Sequence, residues 1–178
     1  MSKKENGLMK KLHVEDNFLG QKEFDTLQTH MMGNNFTWYY NTFIDYEGQQ
    51  DKFQFNHMFY GLGEPTSGYF ELLKPLLEIM NPVSVFRIKA NLLTRTPEIV
   101  ENELHVDIRF LSEEKRKQWT TSIFYMNTNN GYTKFEDGTK VESVANRLVT
   151  FPANIKHTGT SCTNERTRLV INFNYYRM

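Results

Sequence analysis

From residue 83 to the C-terminal end the chain reads as a run of short extended segments with no helix-length amphipathic stretch between them, and nothing else in it constrains the fold as strongly. The spacing predicts strands over 83–93, 104–110, 119–127, 133–136, 140–144, 147–151 and 166–175, separated by turn residues. Asn130-Gly131 and Asp137-Gly138 are dipeptides that tight hairpin turns favour. Short strands in close succession bury one face of a sheet on another, so this half predicts a sandwich or barrel. Fourteen Phe and nine Tyr suit such half-buried pleated surfaces.

The first half mixes elements. Residues 21–32 carry Phe24, Leu27 and Met31 at spacings of three and four, which predicts a short amphipathic helix. Residues 67–80 repeat the pattern through Phe70, Leu73, Leu76, Leu77 and Met80, with Ser67 as N-cap and Pro75 delaying the regular helix. The aromatic stretches 36–40 and 53–60 read as strands. The expected fold class is therefore mainly β (α+β), with residues 1–82 as helix and strand support and 83–178 as the β core of a single domain, the helices packed on one outer face.

His105, Val106 and Asp107 carry the chemistry. Residues two apart on a strand share a face, so an imidazole and a carboxylate meet at one point while Leu104, Val106 and Ile108 turn to a core. His157, from another strand, completes a set of two histidines and one carboxylate on one side of a metal, the pattern of non-heme Fe(II) oxygenases. The competing reading is a solvated His-Asp pair on a half-buried strand, which would not require these two residue types. Arg168 lies in the last strand, where Leu169, Ile171 and Phe173 alternate with Val170, Asn172 and Asn174; Arg166 shares its face but lies nearer the strand end. An arginine fork suits bidentate carboxylate recognition. His57 has no partner at ligand spacing and reads as a core or pocket-lining residue.

Formal net charge is zero, so no global field recruits nucleic acid or an anionic membrane, and the short basic runs Lys3-Lys4, Lys10-Lys11 and 115–117 read as solvated faces. Cys162 is the only cysteine, which excludes an intramolecular disulfide and reads as a passive thiol in a reducing compartment. The start of the chain has no apolar signal region and nothing later reaches transmembrane length, so a soluble, cytoplasmic protein is expected.

Three stretches resemble the Fe(II)- and 2-oxoglutarate-dependent dioxygenases built on a double-stranded β-helix (jelly-roll): 104–107, 123–127 leading into 131–135, and His157 through Arg168 to Asn172. The middle stretch looks like the strand and hairpin of the prolyl 4-hydroxylase-like branch, and the chain is similar in style to small phage and marine bacterial members, in which case the cytoplasm would be that of the host. The resemblance implies His105, Asp107 and His157 as ligands of Fe(II). It implies Arg168 and Tyr125 as partners of the distal carboxylate of 2-oxoglutarate, with Asn91 as a polar co-substrate contact and O2 as the second co-substrate. Where the family has Gly-Gly before the hairpin strand, this chain has Asn130-Gly131, which leaves the substrate class open. The implied reaction is hydroxylation of a C–H bond with release of succinate and CO2. A peptidyl-proline or other peptidyl side chain is the first expectation for the substrate, and a free amino acid or small metabolite the second. A zinc hydrolase using the same ligands and a non-catalytic binding module are the rival classes.

Overall fold

The computed structural model describes residues 12–44, 46–48 and 52–178; Lys3-Lys4, Lys10-Lys11 and the start of the chain lie outside the described residues. A short edge strand β1 (His13–Glu15) leads into helix α1 (Gln21–Met32), then β2 (Tyr39–Asn41), β3 (Gln54–Gly61) and β4 (Glu64–Pro65). A 3-10 turn (Phe70–Leu73) runs into α2 (Lys74–Met80), followed by β5 (Ser84–Thr94) and the single-turn helix α3 (Glu113–Arg116). The rest is strand: β6 (Thr120–Tyr125), β7 (Tyr132–Phe135), β8 (Lys140–Glu142), β9 (Arg147–Pro152), β10 (His157–Gly159) and β11 (Thr167–Tyr176).

The strands form two facing sheets. The larger runs β1-β9-β6-β11-β5-β3-β2, antiparallel throughout, with β4 added to β3; the smaller runs β10-β7-β8. Strand β11 sits in the middle of the larger sheet and shows why the sequence alternates there. Its odd residues Leu169, Ile171 and Phe173 pack with Ile88, Ala90 and Phe124 against Phe24, Leu27 and Met31 of α1 and Leu73, Leu76 and Met80 of the second helical segment. Its even residues face the smaller sheet, where Val170 joins Ile123, Tyr125, Phe135, Val149 and Phe151. This is the double-stranded β-helix with its helices on one outer face.

Both predicted helices form, although the second begins as a 3-10 turn and becomes α-helical only where Pro75 can occupy the first turn, whose N–H groups lack partners anyway. Ser67 does not cap α2; its hydroxyl accepts from the Tyr69 N–H at 3.0 Å and bonds to His57 Nε2 at 2.7 Å. Asp137-Gly138 turns the β7–β8 hairpin as expected, Gly138 adopting the left-handed φ of 89°. Asn130-Gly131 does not make a hairpin: β6 and β7 belong to different sheets, and the dipeptide ends a crossover between them. The predicted strand 104–110 also fails to form. The segment pairs with β10 only at one isolated bridge, His105 with His157, preceded by a second between Glu101 and Thr160, then turns, leaving Leu104 and Phe110 exposed and only Ile108 fully buried. A three-residue partner strand cannot support a longer ladder.

No helix among the described residues is long and apolar enough to cross a membrane. Cys162 is buried with its thiol on the Glu165 carbonyl, and burial pushes its ionisation up, as suits a passive thiol.

Phe124 joins the two layers, fully buried with its ring edge-on to Phe18 and Phe24 at 6.3 and 6.0 Å. Phe124→Ala should lower unfolding free energy by about 3–5 kcal/mol in urea titrations followed by tryptophan fluorescence. A loss below about 1 kcal/mol would mean that this helix–sheet contact is not the tight core described.

Candidate metal and co-substrate site

The inner face of the larger sheet presents its side chains in rows, because β5 and β11 are antiparallel and in register: Arg87 lies opposite Asn174, Lys89 opposite Asn172, Asn91 opposite Val170, and Leu93 opposite Arg168. All of these but Asn174 line a cavity between the two sheets, together with His105, Asp107, Thr133, His157 and Thr158. The triad closes one end and Arg168 the other.

At the triad end, one ligand-type atom from each of His105, Asp107 and His157 lies within 4.8 Å of the others. His105 Nε2 is 3.6 Å and His157 Nε2 3.9 Å from Asp107 Oδ1. Asp107 reaches this point although its segment is not a strand, because Asn174 donates to its Oδ2 at 2.9 Å and the Arg87 guanidinium lies 3.5 Å from its Oδ1. Arg87 in turn donates to Asn174 Oδ1 through two nitrogens, which fixes the amide that holds the carboxylate. Each imidazole places Nδ1 against a backbone carbonyl, Glu103 at 3.0 Å for His105 and Ile155 at 3.3 Å for His157. Carbonyls only accept, so Nδ1 carries the proton and both Nε2 lone pairs are left facing Asp107.

The charges agree with this. Burial opposes ionisation of Asp107, yet His105, His157 and Arg87 around it hold its carboxyl far below the usual range. Burial alone would push His105 down, but the adjoining Asp107 outweighs it and raises the imidazole; His157, fully enclosed, is pushed down by burial against the pull of Asp107. His157 Nε2 is buried with no hydrogen-bond partner. A cation between two imidazole lone pairs and an ionised carboxylate would satisfy all three, and two histidines with a carboxylate suit a first-row divalent metal with open positions.

At the other end, Arg168 is buried at 3% exposure, its Nε donating to Ser143 Oγ at 2.8 Å and its Nη2 to Thr133 Oγ1 at 3.2 Å. Burial lowers its basicity, and no carboxylate pairs with it among the described residues. A guanidinium out of water with only hydroxyl partners is costly unless an anion joins it. Arg166, the competing residue, is exposed. Gly131 explains the close packing here: a Cβ at that position would lie 2.6 Å from both Arg168 Cδ and the Ser161 carbonyl. Tyr125 is buried beneath this end rather than lining the cavity, and its hydroxyl donates to Thr133 Oγ1 at 2.7 Å.

Between the two ends, Asn91, Asn102 and Asn172 each leave a buried side-chain oxygen without a hydrogen-bond partner. Among the described residues only one further orphaned side-chain atom lies outside this cavity, on Arg116, so unsatisfied polarity is concentrated here. Lys89 shares the middle of the wall, and burial followed by repulsion from Arg87 pushes its ammonium down to about 8, against a smaller opposing pull from Asp107. His57 takes no part: its nitrogens bond to the Thr37 carbonyl and Ser67 hydroxyl inside a cage of Phe36, Phe59 and Tyr69.

The structure thus gathers His105, Asp107, His157, Asn91 and Arg168 around one cavity and sets Tyr125 behind its wall. Sequence reasoning missed Arg87, Lys89, Thr133, Ser143 and Asn174. Alternation on β5 and β11 could have found Arg87, Lys89 and Asn174, because they share a face with Asn91 and Arg168.

No family model and no curated protein sequence matches the chain. Solved structures do. A prolyl hydroxylase from Trichoplax adhaerens, in complex with a peptide of the hypoxia inducible factor oxygen degradation domain, superposes with TM-score 0.67 at 12% identity over 96% of this chain and 86% of that one. The viral collagen prolyl hydroxylase of Paramecium bursaria Chlorella virus-1, bound to 2-oxoglutarate, gives 0.58 at 11% identity over 94% and 96%. HygX from Streptomyces hygroscopicus, with nickel and 2-oxoglutarate bound, gives 0.63 at 10% identity over 100% and 88%. The fold is that of the prolyl hydroxylases and other 2-oxoglutarate–Fe(II) oxygenases.

Asn174 supports the triad without joining it. Isothermal titration with Mn(II) should give one site per chain, and Asn174→Ala should weaken it about ten- to a hundredfold. Unchanged affinity would mean that Asp107 is held by other means.

Proposed function

We propose that this protein is an Fe(II)- and 2-oxoglutarate-dependent oxygenase that hydroxylates a C–H bond, acting as a single domain over residues 1–178. The observation that carries the reading is the pairing, in one cavity, of the His105–Asp107–His157 triad with a buried Arg168 that lacks a carboxylate partner. His105, Asp107 and His157 would hold Fe(II). Arg168 would take the distal carboxylate of 2-oxoglutarate in its fork, with Thr133 beside it and Tyr125 orienting Thr133 from behind. The metal would supply the redox chemistry by which 2-oxoglutarate, O2 and R–H give succinate, CO2 and R–OH. Asn174 and Arg87 keep the Asp107 carboxylate ionised and aimed.

The fold likeness to prolyl hydroxylases supports a peptidyl-prolyl or other peptidyl side chain as substrate; the lining around Lys89 favours the second reading, a free amino acid or small metabolite. A zinc hydrolase fits less well, because among the described residues Asp107 is the only carboxylate in the lining, which leaves no general base there, and Arg168 would have no role. A binding module without chemistry leaves the Nε2 of His157 unexplained. Cytoplasmic localisation remains a proposal resting on the single buried thiol.

Anaerobic loading with Fe(II) and 2-oxoglutarate, followed by exposure to O2, should yield succinate even without substrate, and His105→Ala or Asp107→Ala should abolish it. Iron-independent or absent succinate would overturn the assignment. Arg168→Ala should raise the KM for 2-oxoglutarate about a hundredfold, as expected for a lost charge-assisted pair, while Mn(II) affinity is kept. Gly131→Ala should act in the same direction by displacing the Arg168 stem, and an unchanged KM in both variants would remove Arg168 from the co-substrate site.

A further inference from the structure

Lys89 is the one charged group lining the cavity that the proposed reaction does not use. It projects from the middle of β5 in the row next to the triad, opposite Asn172, and it makes no hydrogen bond or ion pair among the described residues. The other two cations are provided for. Arg87 has Asp107 and Asn174, and Arg168 has two hydroxyls and the space in which an anion would sit. In the loaded site the metal dication, Arg87 and Arg168 already outnumber the negative charges of Asp107 and both carboxylates of 2-oxoglutarate, so none of these anions is left for Lys89. The Lys89 charge is then left over in an enclosed space, where an unpaired ammonium is costly and an anion is strongly attracted.

The same stretch of wall carries the complementary need. The buried side-chain oxygens of Asn91, Asn102 and Asn172 accept no hydrogen bond, and each calls for a donor. One unpaired cation opposite an unfilled acceptor, Lys89 across from Asn172, is the mirror image of a zwitterion.

We propose, building on the oxygenase reading above, that the oxidised substrate is a free α-amino acid whose carboxylate pairs with Lys89 and whose ammonium is received by the amide oxygen of Asn172 opposite it, Asn91 and Asn102 lying toward Arg168 beside the co-substrate. The side chain then points to the triad end of the cavity, where hydroxylation converts one of its C–H bonds to C–OH. One O2 is consumed, one of its oxygens enters the product and the other enters succinate as 2-oxoglutarate loses CO2. A peptidyl residue matches this wall poorly, since it brings neither a carboxylate for Lys89 nor an ammonium for Asn172.

The test is succinate release by the full-length protein with Fe(II) and 2-oxoglutarate in the presence of each of the twenty free L-α-amino acids, each repeated as its N-acetyl amide. At least one free amino acid should raise the rate about tenfold or more above the substrate-free rate, with a hydroxylated product by mass spectrometry, and its N-acetyl amide should not. Lys89→Met should raise the KM for that amino acid about ten- to a hundredfold while the KM for 2-oxoglutarate moves less than about threefold, and Lys89→Arg should recover part of the loss. Stimulation by N-acetyl amides as strong as by free amino acids, or by none of the twenty, would overturn the proposal. So would a Lys89→Met defect confined to 2-oxoglutarate, which would assign the ammonium to the co-substrate. Failure of the oxygenase reading itself looks different: no iron-dependent succinate is formed at all, with or without amino acid.

Discussion

Both faces of β11 are buried, and everything else in the structure depends on that. A central strand with helices behind it and a second sheet in front cannot slip by one residue without driving an arginine and two asparagines into the helix-side core. The alternation of Leu169, Ile171 and Phe173 with Arg168, Val170, Asn172 and Asn174 therefore fixes the register of β5 and β6 on either side of it. That register places Asn174 under Asp107 and Arg168 at the opposite end of the same cavity. The distance between the metal end and the anion end is thus set by packing of the apolar face, not by contacts within the site.

The polar wall carries a cost that contacts within the protein do not repay. A buried guanidinium without a carboxylate, an imidazole nitrogen without a partner and three unfilled amide oxygens each oppose folding when taken alone. Their concentration in one place is the physical signature of a site organised for charged ligands. The apolar layer formed by α1, α2 and the back of the larger sheet offsets this cost.

Much of this was legible in the sequence, for reasons that can be traced to particular residues. Helix α1 and strand β11 were readable because their periodicity is enforced by a core on a defined side. Arg168 could be separated from Arg166 because it lies within the alternating run. The strand expected over 104–110 was misread for an equally physical reason: Leu104, Val106 and Ile108 mimic a period of two, but β10 is only three residues long and the backbone turns after His105. Asp107 still meets His105, since Asn174 and Arg87 position it from the larger sheet, a long-range contact that no local pattern reveals. Asn130-Gly131 was misread as a hairpin because dipeptide preference says nothing about which sheet the next strand joins. Tyr125 lies one residue-layer deeper than the resemblance implied, with Thr133 between it and the cavity.

The most direct test of the central claim is an anaerobic crystal structure of the protein with Mn(II) and 2-oxoglutarate, read at the manganese anomalous signal. The account predicts a single anomalous peak bounded by His105 Nε2, His157 Nε2 and the Asp107 carboxylate, with the distal carboxylate of 2-oxoglutarate on the Arg168 guanidinium. Manganese bound elsewhere, or 2-oxoglutarate anchored away from Arg168, would contradict it.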